Sequence, residues 1–249
     1  MSGHSKWHSI KHQKAVTDAR RGQLFTKLTR EIIVAVRKGG PNADTNFSLR
    51  LAVQKARDAS MPSDNIARAI KRASGDKEGA SLVELVLEGY SPGGGAILVE
   101  ALSDNRNRTI QAIRHLFSRG GGSLGEAGCV AWQFHPMGVI TVESGETDTE
   151  ELALKAIDVG AEDVVVESGV VEVYTRPETL EEVRAALERD GIPVATAEVS
   201  MVPKVTLELD EKAAVQTLKL MEKLEELDDV RHVSSNVDFS DEVLAEYEE

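Results

Sequence analysis

The stretch from Gly138 to Met201 constrains the fold more than any other part of this 249-residue sequence. It reads as strand GVITVE, helix EELALKAIDVG, strand VVVE, strand VVEVYT, helix ETLEEVRAALERDG and strand VATAEVSM. β-branched runs mark the strands, and apolar residues three and four apart mark the helices. Asp148 and Thr149 signal the start of the first helix and Gly160 its end; Pro177 and Gly191 do the same for the second. The order βαββαβ is the ferredoxin-like split arrangement, complete within residues 137–203.

A complete unit in mid-chain leaves two flanking pieces to explain. Upstream, LVELVLE and AILVEAL read as strands around the turn GYSPGGG. A helix follows from DNRNRT to about Arg119, with Ile110, Ile113 and Phe117 inward, then the glycine loop GGGSLGEAG and a strand CVAWQFH. Downstream, VTLEL, DEKAAVQTLKLMEKLEELDD and VRHVSSNVDF read as βαβ. Neither piece carries enough sheet alone. Residues 79–136 and 204–249 are therefore expected to share one discontinuous α/β domain, with 137–203 inserted at a loop.

The first 78 residues have a different character. Leu24, Leu28, Ile32 and Val36 recur every four positions between the capping candidates Thr17 and Asp18 and the stop Gly39-Gly40-Pro41. A second helix is expected from about Asn46 to Ala59, burying Leu49, Ala52, Val53 and Ala56 and ending before Pro62. A short third helix carries Ile66 and Ile70 and stops at Gly75. The fold class is thus α+β and multidomain: a basic helical bundle over 1–78, the discontinuous α/β domain, and the ferredoxin-like insertion. One cysteine leaves no internal disulfide, and no apolar run approaches the ~20 residues of a membrane span. No secretory signal pattern follows the basic start, so a cytoplasmic protein without a membrane partner is expected.

Charge separates along the same boundary. Residues 1–78 carry a balance of +9 and the remainder −22, within a net charge of -13. A basic module on an acidic body suits a polyanionic partner. The opening SGHSKWHSIKH groups His4, Lys6, Trp7, His8, Lys11 and His12, and Lys14, Arg20 and Arg21 follow. Cations attract phosphate, and a tryptophan stacks on an unpaired base. Lys27, Arg30, Arg37 and Lys38 fall opposite the first apolar stripe; Arg50, Lys55, Arg57, Lys71 and Arg72 extend the cationic surface. These residues are the candidate contacts for nucleic acid, whether DNA or ribosomal RNA. No spacing gives a helix-turn-helix, zinc finger or RNA-recognition signature, so base specificity stays open.

Other chemistries find less support. His4, His8 and His12 offer HxxxH spacing, but no cysteine or acidic third ligand accompanies them, and neither metal nor cofactor is expected. Cys129, within the apolar CVAW, reads as a small core residue rather than a thiolate. The glycine loops lack the Lys-Ser/Thr of a P-loop and read as turns. Arg106 and Arg108 stand at a helix N-terminus, where cations oppose the helix dipole. Two uses remain open for them: an ion pair across a domain contact, or a phosphate contact.

The blocks GHSKWHSIKHQK, DARRGQLFTKLTREI, MPSDNIARAIKRASG, YSPGGGAILVEALSDNRNRT and LDDV resemble the YebC family. Its mitochondrial members include the translational activator of cytochrome c oxidase subunit I. The resemblance spans almost the whole chain and implies three domains in the order derived above. It implies no enzymatic activity. It implies either a DNA-binding transcriptional regulator or a ribosome-associated translation factor that eases stalls on nascent sequences such as proline runs. A protein-interaction adaptor working through the acidic domains is the third reading. The family motif starts within two residues of Met1, leaving no room for a mitochondrial presequence, which favours the bacterial type. Cys129 stands where family members often have serine, which argues against an essential thiol.

Overall fold

The computed structural model describes residues 18–75, 82–143, 148–167 and 170–248. Its first part is three helices: α1 (Asp18–Gly39), α2 (Phe47–Asp58) and α3 (Ser63–Gly75). Leu28, Ile32 and Val36 of α1 meet Leu49, Val53 and Ala56 of α2 and Ile66 and Ala69 of α3 in one core. Buried Asn46 makes the first corner. Its Oδ1 caps α2 by accepting from Leu49 N–H at 3.1 Å, while its Nδ2 donates to the Ala35 and Gly40 carbonyls at 2.8 Å. One amide therefore satisfies the end of α1 and the start of α2.

Two four-stranded sheets follow. The first has the order β3-β1-β2-β9, built from β1 (Val83–Tyr90), β2 (Ala96–Ser103), β3 (Ser123–Leu124) and β9 (Val230–Ser235). All its pairings are antiparallel, so the C-terminal part of the chain supplies the strand beside β2. Strands β1 and β2 are joined by a tight turn in which Gly93 and Gly94 have φ of 83° and 90°, a region that favours glycine. Helices α4 (Arg106–Arg119) and α7 (Glu211–Glu225) cover one face, where Ile97, Val99, Ile113, Phe117, Leu218 and Met221 pack. Ala96 and Leu98 point the other way, onto Val130, Phe134 and Met201.

The second sheet has the order β5-β6-β4-β7, from β4 (Phe134–Glu143), β5 (Asp163–Glu167), β6 (Val170–Thr175) and β7 (Val194–Pro203). Every pairing is antiparallel. Helices α5 (Thr149–Asp158) and α6 (Leu180–Arg189) pack on one face around Ile140, Val142, Leu152, Val171, Val173 and Leu187. The element order over 134–203 is βαββαβ. The architecture is multidomain α+β: a helical region followed by mixed α/β parts.

Two expectations are corrected. CVAWQFH is not a strand: Ala131–Gln133 form a single 3-10 turn, and β4 starts at Phe134. The cause is Glu88, whose buried carboxylate accepts the N–H groups of Gly128, Val130 and Ala131 at 2.6–2.7 Å, removing them from any ladder. VTLEL contributes only β8 (Leu207–Glu208), which pairs in parallel with β10 (Val237–Asp238) and lies outside the main sheet. The tail is also ordered: α8 (Asp241–Glu248) follows Ser240, whose Oγ accepts from Val243 N–H at 3.3 Å, and Val243 enters the core.

Candidate nucleic-acid interface

The cations of α1 and α2 divide into two groups according to what faces them. Lys27 Nζ donates to the Glu225 carbonyl, at the end of α7 where the helix dipole is negative. Arg30, one turn further along α1, donates through Nη1 to the Asp228 carbonyl at 2.6 Å and to Asp229 Oδ1 at 2.8 Å. On α2, Lys55 pairs with Glu198 of β7 at 2.8 Å and lies 3.9 Å from Glu31 of α1. Burial lowers the Lys55 pKa, but the two glutamates outweigh it and hold the ammonium above its ordinary value. Beside this pair, Arg184 of α6 grips both oxygens of Asp58 at 3.1 and 3.2 Å. Leu51 of α2 packs against the core of the second sheet.

Lys27, Arg30 and Lys55 are therefore only partly exposed and are bonded to groups of the protein itself. They are struts that hold the helical region against the protein's own acidic body. The charge split of the chain is partly neutralised within the molecule, since Arg30 meets Asp229 and Lys55 meets Glu198. Lys38 also meets a carboxylate, Glu84, at 2.5 Å, but both side chains are exposed, and such surface pairs are weak and exchangeable.

The DNRNRT segment meets the same carboxylate as Arg30. Arg108 donates to Asp104 Oδ1 at 2.7 Å and to Asp229 Oδ2 at 2.8 Å. Thr109 Oγ1 donates to Asp229 Oδ2 at 2.5 Å, and Ser103 Oγ lies 3.3 Å from it. Burial raises the Asp229 pKa, yet Arg108, Thr109 and Arg30 together hold it below the usual carboxylate value. Asp229 thus rests at the N-terminal end of α4, where an anion complements the helix dipole and offsets the cations placed there. Of the two uses left open for these arginines, Arg108 serves the ion pair. Arg106 is exposed and joins no ion pair among the described residues.

The second group faces solvent. Arg21 and Arg37 on α1, Arg57 on α2, and Lys71 and Arg72 on α3 are exposed. Arg57, Lys71 and Arg72 join no ion pair among the described residues. Arg50 is exposed but lies over the Phe47 ring, 5.7 Å from its centroid, and 3.4 Å from the Ala43 and Asp44 carbonyls. Arg20 belongs to the first turn of α1. His4, Lys6, Trp7, His8, Lys11, His12 and Lys14 lie outside the described residues. Sequence reasoning missed exposed Arg68 of α3, which pairs only locally, with Asn65 and the Asp64 carbonyl. It also missed Asp229 and Glu198 as partners, although Asp229 falls in the LDDV block.

Among the described residues no cluster of metal-ligating side chains occurs, and no helix is long and apolar enough to cross a membrane. Burial and the neighbouring Glu88 charge push the Cys129 thiol up, away from the thiolate form a nucleophile needs.

Two family models match the chain: the TACO1/YebC protein N-terminal domain over residues 5–76, and the TACO1/YebC second and third domain over 82–237. The chain belongs to the TACO1/YebC family. A relative from Dehalococcoides mccartyi, described as a probable transcriptional regulatory protein, is 58% identical over 247 residues, spanning 99% of this chain and 98% of its own. A relative from Halothermothrix orenii with the same description is 50% identical over 252 residues, spanning 100% of both chains. The crystal structure of a conserved hypothetical protein from Aquifex aeolicus superposes with a TM-score of 0.84 at 46% identity, covering 94% of this chain and 99% of that one. TACO1/YebC membership makes the protein a regulator and not an enzyme.

Proposed function

We propose that this TACO1/YebC protein regulates gene expression by binding DNA through its N-terminal helices, in transcription. The observation that carries the reading is the exposed set Arg57, Lys71 and Arg72, which has no carboxylate partners among the described residues, while neighbouring cations are matched to the acidic body. Cations left unmatched in a protein of net charge -13 suit a phosphate backbone. The description of the Dehalococcoides mccartyi relative supports transcription as the process. The opening block, with Lys6, Trp7 and His8, would extend the grip to unpaired bases.

In this reading residues 1–78 form the binding domain of a cytoplasmic protein, 79–136 with 204–249 a supporting α/β domain, and 137–203 an inserted ferredoxin-like domain. The βαββαβ element order and the all-antiparallel strand order β5-β6-β4-β7 support the last of these. The test is a mobility shift with duplex DNA run beside co-sedimentation with ribosomes, both at the same low salt. DNA binding that weakens in Lys71→Glu/Arg72→Glu supports the proposal. Retention by ribosomes alone would move the protein to translation, and binding to neither would end the nucleic-acid reading.

A further inference from the structure

Helix α4 is a cationic island in the acidic part of the chain. It carries four arginines and no Asp or Glu among its 14 residues. Thr109, Ile113 and Phe117 form its buried side. At about 100° per residue, Arg108, Gln111, Arg114, His115, Ser118 and Arg119 share the opposite side, and all are exposed. Only Arg108 is tied to carboxylates; Arg106, Arg114 and Arg119 join no ion pair among the described residues. Arg119 lies in the last turn, where the dipole favours a cation, but Arg106 in the first turn is opposed by it. Capping thus accounts for one of the three.

We infer that the outer face of α4 is a second phosphate-backbone contact, continuous with the N-terminal helices. The inference rests on the nucleic-acid reading above and extends it to a surface outside the N-terminal region. Continuity comes from Asp229, which receives Arg30 of α1 on one oxygen and Arg108 of α4 on the other, each at 2.8 Å. The first turn of α4 is thereby held beside the middle of α1. The composition of the face also fits: phosphate and sugar oxygens are contacted by Arg together with Gln and Ser, residues present here. An acidic protein partner fits less well, because protein interfaces centre on buried apolar or aromatic anchors, and none of the large exposed hydrophobic residues lies on α4. A helix of 14 residues is about 21 Å long and runs past several phosphates at roughly 3.4 Å per charge along one strand.

The test compares three full-length proteins on a labelled DNA duplex and on ribosomes, across a salt series: wild type, Arg114→Gln/Arg119→Gln, and Lys71→Glu/Arg72→Glu. The α4 variant is expected to bind about tenfold or more weakly at low salt and to lose roughly 1.8 from the slope of log affinity against log salt, two contacts at about 0.9 each. Both α4 side chains are exposed, and a thermal melt matching wild type confirms the fold is intact. If the α3 variant weakens binding and the α4 variant does not, α4 is not a contact while the nucleic-acid reading stands. If the α4 variant binds nucleic acid normally but loses a protein captured by wild type, the face serves a protein and the inference is overturned. If wild type binds neither probe, both readings fall.

Discussion

Arg30 and Asp229 stand 199 positions apart in sequence and 2.8 Å apart in space. The pair joins the most basic part of the chain to the turn after α7. Because the Asp229 side chain is only 11% exposed, its carboxylate has little water to fall back on. Asp229→Ala leaves Arg30, Thr109 and part of Arg108 unmatched, and is expected to destabilise the protein by about 2–3 kcal/mol in urea unfolding. The cycle with Arg30→Ala should show coupling, since each partner's loss removes the same contact. The Asp229 pKa lies below its ordinary 3.8, so its contribution is complete above that value and is lost as pH falls through the depressed one. Stability should therefore decline more steeply below pH 4 in wild type than in Asp229→Ala.

Lys55 and Asp58, both on α2, form the second clasp, to Glu198 and Arg184. Lys55→Gln should cost about 1–2 kcal/mol, because it removes the ion pair with Glu198 at a partly buried contact. Lys55→Glu should cost more, and adding Glu198→Lys should recover part of the loss. Equal stability of Lys55→Glu and wild type would mean the clasp contributes nothing.

Glu88 gathers three backbone N–H groups and so shapes the segment 128–131. Glu88→Gln keeps the size but places an amide donor against N–H donors. A loss of about 2–3 kcal/mol is expected in chemical unfolding. Burial raises the Glu88 pKa and the three donors lower it further than burial raises it, so the net position is below the ordinary 4.5. Its stabilisation is present above that value and fades as pH falls through the depressed pKa. An unchanged acid limb in Glu88→Gln would contradict this role.

The opening block is tested by Lys6→Glu with Trp7→Ala. Binding to DNA or ribosomes should weaken while thermal unfolding stays as in wild type. Unchanged binding would remove the block from the interface.

Much of the fold was legible because its signals are local. The apolar stripe Leu28, Ile32, Val36 and the β-branched runs of β4 to β7 state their own periods. What failed were elements decided by distant partners. CVAW has the composition of a strand, yet Glu88, some forty positions upstream, claims its N–H groups. VTLEL pairs for two residues only, because β9 already occupies the edge beside β2. The candidate site shows the same limit. Helical spacing placed Lys27, Arg30 and Lys55 on polar faces, but spacing along one helix carries no information about Glu198 or Asp229 waiting across a domain contact. Charge counted by segment likewise cannot tell which cations meet carboxylates of the protein itself, as Arg30 and Lys55 do.

The proposed function implies a division of labour among cations on the same three helices: Lys55 and Arg30 pair with carboxylates of the body, leaving exposed Lys71 and Arg72 for nucleic acid. The slope of log affinity against log salt on a DNA duplex tests it most directly, measured for wild type, Lys55→Gln and Lys71→Gln/Arg72→Gln. The account predicts the wild-type slope for Lys55→Gln despite its lower stability, and a slope smaller by roughly 1.8 for the α3 pair. Parallel lines for wild type and the α3 pair, or a slope that falls in Lys55→Gln instead, would contradict it.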